Sequence, residues 1–150
     1  MILVVPHLIL RKDNKFLLTR RSSNKKIWPN HWHCVTGTIE EGESPKQAIT
    51  REAEEEVGLK LADVSLVTTI FLVEKSILKP GEKYYGVELF FLADLLDHQV
   101  PVNMEPTKQD AMDWFDIKNL PQPIIPGVKF GLISFINNLN YAELDNTVVT

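Results

Sequence analysis

Glu52, Glu55 and Glu56 lie three and four positions apart in a stretch that reads as a helix, so at about 100° per residue they share one arc of roughly 100°. Like charges so placed repel by a few tenths of a kcal/mol each when exposed, and by nearer 3 kcal/mol per pair at about 6 Å and an effective dielectric near 20. Such a face calls for a cation. Hard carboxylate oxygens suit Mg²⁺, with Mn²⁺ as a substitute, better than zinc, and His31 and His33 bring too few partners for a zinc site. Arg51 falls beside Glu55, where its fork can pair with a carboxylate and fix its orientation. Ahead of the helix, Gly37 opens a loop in which a glycine lets a carbonyl turn toward a metal.

These groups need a helix end, a loop and a sheet to hold them. Ser44, Pro45 and Gln47 form a capping-box start and Gly58 a stop. Ile49, Ala53 and Val57 make an apolar stripe that sets the acidic face at the edge of a core when it docks on a sheet. A second helix is predicted over 126–141 from the spacing of Val128, Leu132, Ile133, Phe135, Ile136 and Leu139. Residues 2–10 and 16–18 read as a hairpin about Lys12-Asp13-Asn14, residues 22–30 as a loop, and 64–73 and 84–93 as two longer paired strands. Nothing marks a second domain. Residues 1–144 read as one domain and 145–150 as a frayed tail.

Gly37, Glu43, Arg51, Glu52, Ala53, Glu55, Glu56, Gly58 and Leu59 match the pattern G-x5-E-x7-R-E-U-x-E-E-x-G-U at every defined position, and the chain therefore resembles the Nudix hydrolase family, in particular its MutT-like nucleoside triphosphate pyrophosphohydrolases. That resemblance implies an α/β fold, an α/β/α sandwich with a mixed central sheet. It implies Glu52 and Glu56 as principal metal ligands, Glu55 as a further ligand or the general base, and the Gly37 carbonyl as an aid. Arg51 with Glu43 would brace loop against helix. Leu17 to Arg21 is similar to a strand end in MutT-like members, which nominates Arg21 for substrate phosphate. Asn103, Glu105, Pro106 and Lys108 are similar to a segment from which Glu105 would reach the metal site, as a carboxylate or as the base.

The implied reaction is Mg²⁺-dependent cleavage of a (d)NTP or related triphosphate to monophosphate and pyrophosphate, with water attacking phosphorus in line. Val35-Thr36-Gly37-Thr38 is also similar to dihydroneopterin triphosphate pyrophosphatases. ADP-ribose or dinucleotide pyrophosphatases are a further alternative, and a non-catalytic Nudix-fold nucleotide-binding module an alternative of another class. MutT-like purine readers carry amide or acidic side chains before the last helix. Ile124 to Val128 offers none, so no 8-oxoguanine preference is expected. Trp28, Trp32 and Phe90 are candidates to pack on a base or pterin ring, or simple core.

The formal charge of −4 over 150 residues argues against a nucleic-acid polymer as partner. Residues 1–10 are apolar but hold Pro6 and His7 and no basic start, so neither a leader nor a membrane span is expected, and the cytoplasm is. The single Cys34 reads as a reduced, buried thiol. A small nucleotide-like substrate is the expected partner, for a monomer or homodimer.

Overall fold

The computed structural model describes residues 1–148, so Val149 and Thr150 of the expected tail lie outside the described residues. Strands β1 (Ile2–Lys12) and β2 (Lys15–Arg21) form the expected hairpin. Its two-residue turn puts Asp13 at φ 52° and Asn14 at φ 60°, the left-handed region that short polar side chains tolerate and that matches the twist of paired strands. Two short strands follow, β3 (Trp32–His33) on β2 and β4 (Val35–Thr36) on β1.

Helix α1 (Pro45–Val57) begins and ends where its capping signals place it. The Ser44 hydroxyl accepts from the Gln47 N–H at 3.1 Å, and the Gln47 side chain accepts from the Ser44 N–H at 2.9 Å. Gly58, at φ 70°, turns the chain away, and its N–H and that of Leu59 cap the carbonyls of Glu54 and Ala53.

Strands β5 (Ser65–Lys75) and β6 (Lys83–Asp94) pair antiparallel, β6 runs parallel to β1, β7 (Gln109–Asp116) pairs antiparallel with β2, and β8 (Tyr141–Asn146) lies parallel to β5. The sheet is therefore mixed, in the order β3-β2-β1-β6-β5-β8. Alternation along the strands feeds two cores. Leu8, Leu10, Leu17, Phe91 and Ala93 meet Ile49, Ala53 and Val57 of α1 on one face. Ile9, Phe16, Leu18, Ile70 and Phe90 meet Val128 and Leu132 of α2 (Pro126–Ile136) on the other. The result is the α/β/α sandwich. Each fully buried large side chain contributes roughly 1.5–3 kcal/mol.

Two readings are corrected here. The second helix stops at Ile136, not Tyr141: Asn137 caps it, and Asn138 turns the chain at φ 58°. Tyr141 instead opens β8, which carries Asp145 and Asn146 in a strand where a frayed tail was expected. Apolar residues at 136 and 139 keep helical spacing, but the Asn pair between them supplies the break.

Helix α2 lies close to the sheet because Gly131 has no side chain: a Cβ there would stand 2.3 Å from Cζ of the buried Phe90 ring. Gly131→Ala is expected to lower unfolding stability by about 1–3 kcal/mol through overpacking, measured by urea denaturation. An unchanged midpoint would show that the helix is free to lift away.

Candidate active site

One cleft runs across the edge of the sandwich where β1, β2, β4 and α1 meet. Its first end, about 450 Å³, is lined by Glu52, Glu56, Glu105, Lys108, Arg21 and Lys25 among others. Its second end, about 350 Å³, is mostly apolar, and Arg21, His33 and Thr36 line both.

Helix geometry distributes the carboxylates. Glu56 points inward and is 7% exposed, with Oε2 buried and without a hydrogen-bond partner. Burial, followed by the charges of Glu52 and Glu105, holds its carboxyl well above the usual carboxylate range. Glu52 lies beside it in the cleft lining, whereas Glu55 stands at the opposite limit of the arc, outside the lining, against Arg51. Glu52 and Glu56 line the cleft, and Glu55, at the end of the same arc, shares Arg51 Nη1 with Glu52 outside that lining. Among the described residues, no three His, Cys, Asp or Glu side chains stand grouped to grip an ion as they are.

Arg51 accounts for part of this. Its Nε and Nη2 donate to both oxygens of Glu43 at 2.8 and 2.9 Å, Nη1 donates to Glu52 at 2.9 Å and Glu55 at 3.2 Å, and Nη2 also reaches the Thr38 carbonyl at 3.0 Å. One guanidinium thus ties the loop to the helix and orients Glu52. Gly37 packs directly on Glu52, and a Cβ there would stand 2.4 Å from Glu52 Cγ. For Gly37 the structure shows this close approach, a stricter demand than loop freedom.

Arg21 reaches the cleft because the β2–β7 register shifts between Arg20 and Arg21. A bulge re-aims a side chain: Arg20 turns out to Asp110 at 2.7 Å, while Arg21, half-buried, donates from Nε to the Ile27 carbonyl at 2.9 Å and faces the lining. Burial pulls its pKa down, against the attraction of Glu56. Glu105 lies across the cleft, 3.2 Å from Lys108 Nζ. Gln109 holds that segment: it is buried, and its amide donates to the Glu56 carbonyl and to Asn103 Oδ1, both at 3.0 Å. Sequence reasoning missed Gln109 and all of β7, whose alternation of polar residues in QDAMDWFD carries little apolar signal.

His33 is fully buried and pushed down to about 3 by that burial and by Arg21, His7 and Lys25, so it stays neutral. His31 Nδ1 meets the Pro29 carbonyl at 2.7 Å. Cys34 is buried and free, and Phe90 is core. Trp32 packs against the α2-side core, with its ring 4.9 Å from Phe115. Of the three aromatic candidates, Trp28 alone lines the cleft.

Two outcomes follow from these contacts. Gly37→Ala is expected to displace Glu52 and reduce turnover at least about tenfold, equivalent to roughly 1.4 kcal/mol, with the melting temperature little changed. Full turnover would show that Glu52 has room to move. Arg51 hydrogen bonds, aided by the Glu40 backbone, pull the Glu43 carboxyl down from 4.5 to about 2. A depressed carboxyl stabilises the fold above its unfolded value and stops doing so as pH falls through its folded one. Glu43→Gln is therefore expected to melt earlier than wild type at pH 7 and to converge with it between pH 4.5 and 2. A deficit independent of pH would contradict the ion pair.

A NUDIX domain model matches residues 2–132. The isopentenyl-diphosphate Delta-isomerase of Klebsiella pneumoniae is 38% identical over 115 residues, which is 75% of this chain and 59% of that protein. The isomerase of Salmonella heidelberg is 37% identical over 60 residues, 39% of this chain and 33% of that protein. The chain thus spans three-fifths or less of the length of these curated relatives. Among solved structures, a MutT NUDIX hydrolase from Burkholderia pseudomallei superposes with a TM-score of 0.75 at 24% identity, covering 89% of this chain and 97% of that one. The NUDIX domain of Shewanella oneidensis NrtR, complexed with ADP ribose, does so at 0.70 and 18% identity, covering 91% and 87%. These likenesses show the fold, and the family model, spanning both helices' docking faces and the whole of the motif over residues 37–59, shows that the chain belongs to the Nudix family.

Proposed function

We propose that this chain is a Mg²⁺-dependent pyrophosphohydrolase, accepting Mn²⁺ as a substitute, that cleaves a small nucleotide-like triphosphate to monophosphate and pyrophosphate. The observation that carries the reading is the buried, unpartnered Glu56 Oε2 beside Glu52 and Glu105, in a cleft edged by Arg21, Lys25 and Lys108. An all-oxygen donor set with excess negative charge fits a hard divalent cation. Glu52 and Glu56 would hold it, helped by the Gly37 carbonyl, with Glu55 available once Arg51 releases it. Bound there, the ion polarises phosphoryl oxygens and offsets their charge.

The remaining work falls to side chains. Arg21, fixed by the Ile27 carbonyl, stabilises charge on the equatorial phosphoryl oxygens. Of the two candidate bases, Glu105 is the better placed to take the proton of an attacking water, because it lines the cleft and Glu55 does not. Arg51 and Glu43 act as positioning residues through Glu52. A buried free thiol and the absence, among the described residues, of a helix long and apolar enough to span a membrane accord with a cytoplasmic role.

A second reading is favoured by the relatives named as isopentenyl-diphosphate isomerases. A diphosphate fits the same charged end, so one panel separates the readings: nucleoside triphosphates, dihydroneopterin triphosphate, ADP-ribose, dinucleoside polyphosphates and isopentenyl diphosphate, each with Mg²⁺. Pyrophosphate release from a triphosphate is expected, falling at least about a hundredfold in Glu56→Gln, or roughly 2.7 kcal/mol of barrier. Full activity in that variant would exclude the role given to Glu56. Isomerisation without hydrolysis would replace the proposed reaction, and ligand binding without turnover would indicate a non-catalytic module.

A further inference from the structure

The second end of the cleft is apolar in most of its lining, yet it holds buried polar atoms that no hydrogen bond among the described residues satisfies. Glu88 is 6% exposed, and its Oε2 has no hydrogen-bond partner. Its Oε1 stands 3.7 Å from His7 Nε2, within reach of an ion pair with a protonated imidazole though too far for a hydrogen bond, so Oε2 is the oxygen left over. Glu74 Oε2 is also buried and unpartnered. Glu74 lies directly across from Tyr84 in the β5–β6 ladder, and two residues further along each strand Leu72 faces Gly86. Tyr84, Gly86 and Glu88 therefore share the face that carries Glu74. Gly86 leaves room there: a Cβ would come within 2.8 Å of the Tyr84 hydroxyl and 3.1 Å of Glu88 Oε2.

The hydrogen bonds around His7 fix what is left over. The Thr36 hydroxyl donates to the Cys34 carbonyl at 3.0 Å, so its oxygen accepts from His7 Nδ1–H at 2.8 Å. That leaves Nε2 turned toward Glu88. Trp28 forms a wall of the same cavity and is held at φ 49°, a strained conformation for a bulky residue that persists only where surroundings enforce it. A cavity lined by both an aromatic side chain and carboxylates with unpartnered oxygens is suited to a flat ring that brings hydrogen-bond donors at its edge.

We propose that Glu74 and Glu88 are specificity-determining residues that select a substrate whose non-phosphate moiety carries adjacent N–H and amino donors, as the 2-aminopyrimidinone edge of a guanine or pterin ring does, and reject a hydrocarbon tail. The proposal rests on the pyrophosphohydrolase reading for the phosphate end alone. It adds acceptors that the apolar segment Ile124 to Val128 lacks, since they come from β5 and β6. A hydrocarbon moiety would cover the two unpartnered oxygens, Glu74 Oε2 and Glu88 Oε2, without offering either a donor, so the cavity is ill-suited to an isopentenyl group.

The test separates the moiety from the reaction. GMP and IMP, which differ only in the exocyclic amine, are titrated calorimetrically into the wild-type chain, Glu88→Gln and Glu74→Gln, with melting temperatures to report folding. GMP is expected to bind at least about tenfold tighter than IMP to wild type, and the preference to fall toward unity in either variant that folds. Equal affinities in wild type, or an undiminished preference in the folded variants, would overturn the proposal. In parallel, kcat/KM is measured for GTP and ITP. Equal values would sink the inference and leave hydrolysis standing. No turnover of either, with GMP preferred over IMP, would support the inference while removing the pyrophosphohydrolase reading.

Discussion

A carboxylate buried beside two others, without an ion pair of its own among the described residues, is the constraint around which the rest of the site is arranged. Glu56 is nearly inaccessible, its outer oxygen makes no hydrogen bond, and Glu52 and Glu105 add to the charge around it. In a metal-free chain this is a cost, because a buried ionised group without a partner is strongly disfavoured. The structure holds the arrangement in place from several sides. The capped α1 presents Glu52 and Glu56 at fixed angles, Gly37 lets the loop lie on Glu52, and Arg51 gathers five acceptor oxygens from four residues to keep loop and helix in register. Gln109 then fastens the segment bearing Glu105 to the backbone carbonyl of Glu56 itself.

The same cleft has two chemical characters, and the division follows from the sheet. At the end near α1, charged residues arrive from a helix, a bulged strand end and a loop, all places where backbone geometry can aim a side chain without disturbing the core. At the other end loops and the start of α2 share the lining with strand faces, and the alternation that fills the α2-side core with Ile70 and Phe90 also carries Glu74 and Glu88 to its margin. Arg21, His33 and Thr36 stand between, where a diphosphate would join its organic moiety.

How much of this was legible in the sequence depends on the range of the interaction. Local signals were sufficient for α1, since Ser44, Gln47 and Gly58 cap it through contacts within a few residues. The motif likewise led to Glu43, Arg51, Glu52 and Glu56 because their relations run along one loop and one helix. Strand β7 and the buried Gln109 were not legible: an edge strand of mixed polarity looks like loop until its partner, β2, is known. Helix α2 was overextended past Asn137 and Asn138 for the complementary reason, since apolar spacing continued after the backbone had turned. The unpartnered oxygens of Glu74 and Glu88 could not be found either, because their surroundings are set by strands and loops distant in sequence.

On the proposed function, the carboxylates of this cleft are assembled for a divalent cation. The most direct measurement is the melting temperature of the wild-type chain at fixed ionic strength and neutral pH, with EDTA and with increasing Mg²⁺. A ligand that binds only the folded state stabilises it by mass action, by about 2.7 kcal/mol at a hundredfold excess over its dissociation constant. A saturable rise in melting temperature, lost in Glu56→Gln, is expected of a divalent-cation site. An unchanged melting temperature across the titration, or an equal rise in the variant, would contradict it.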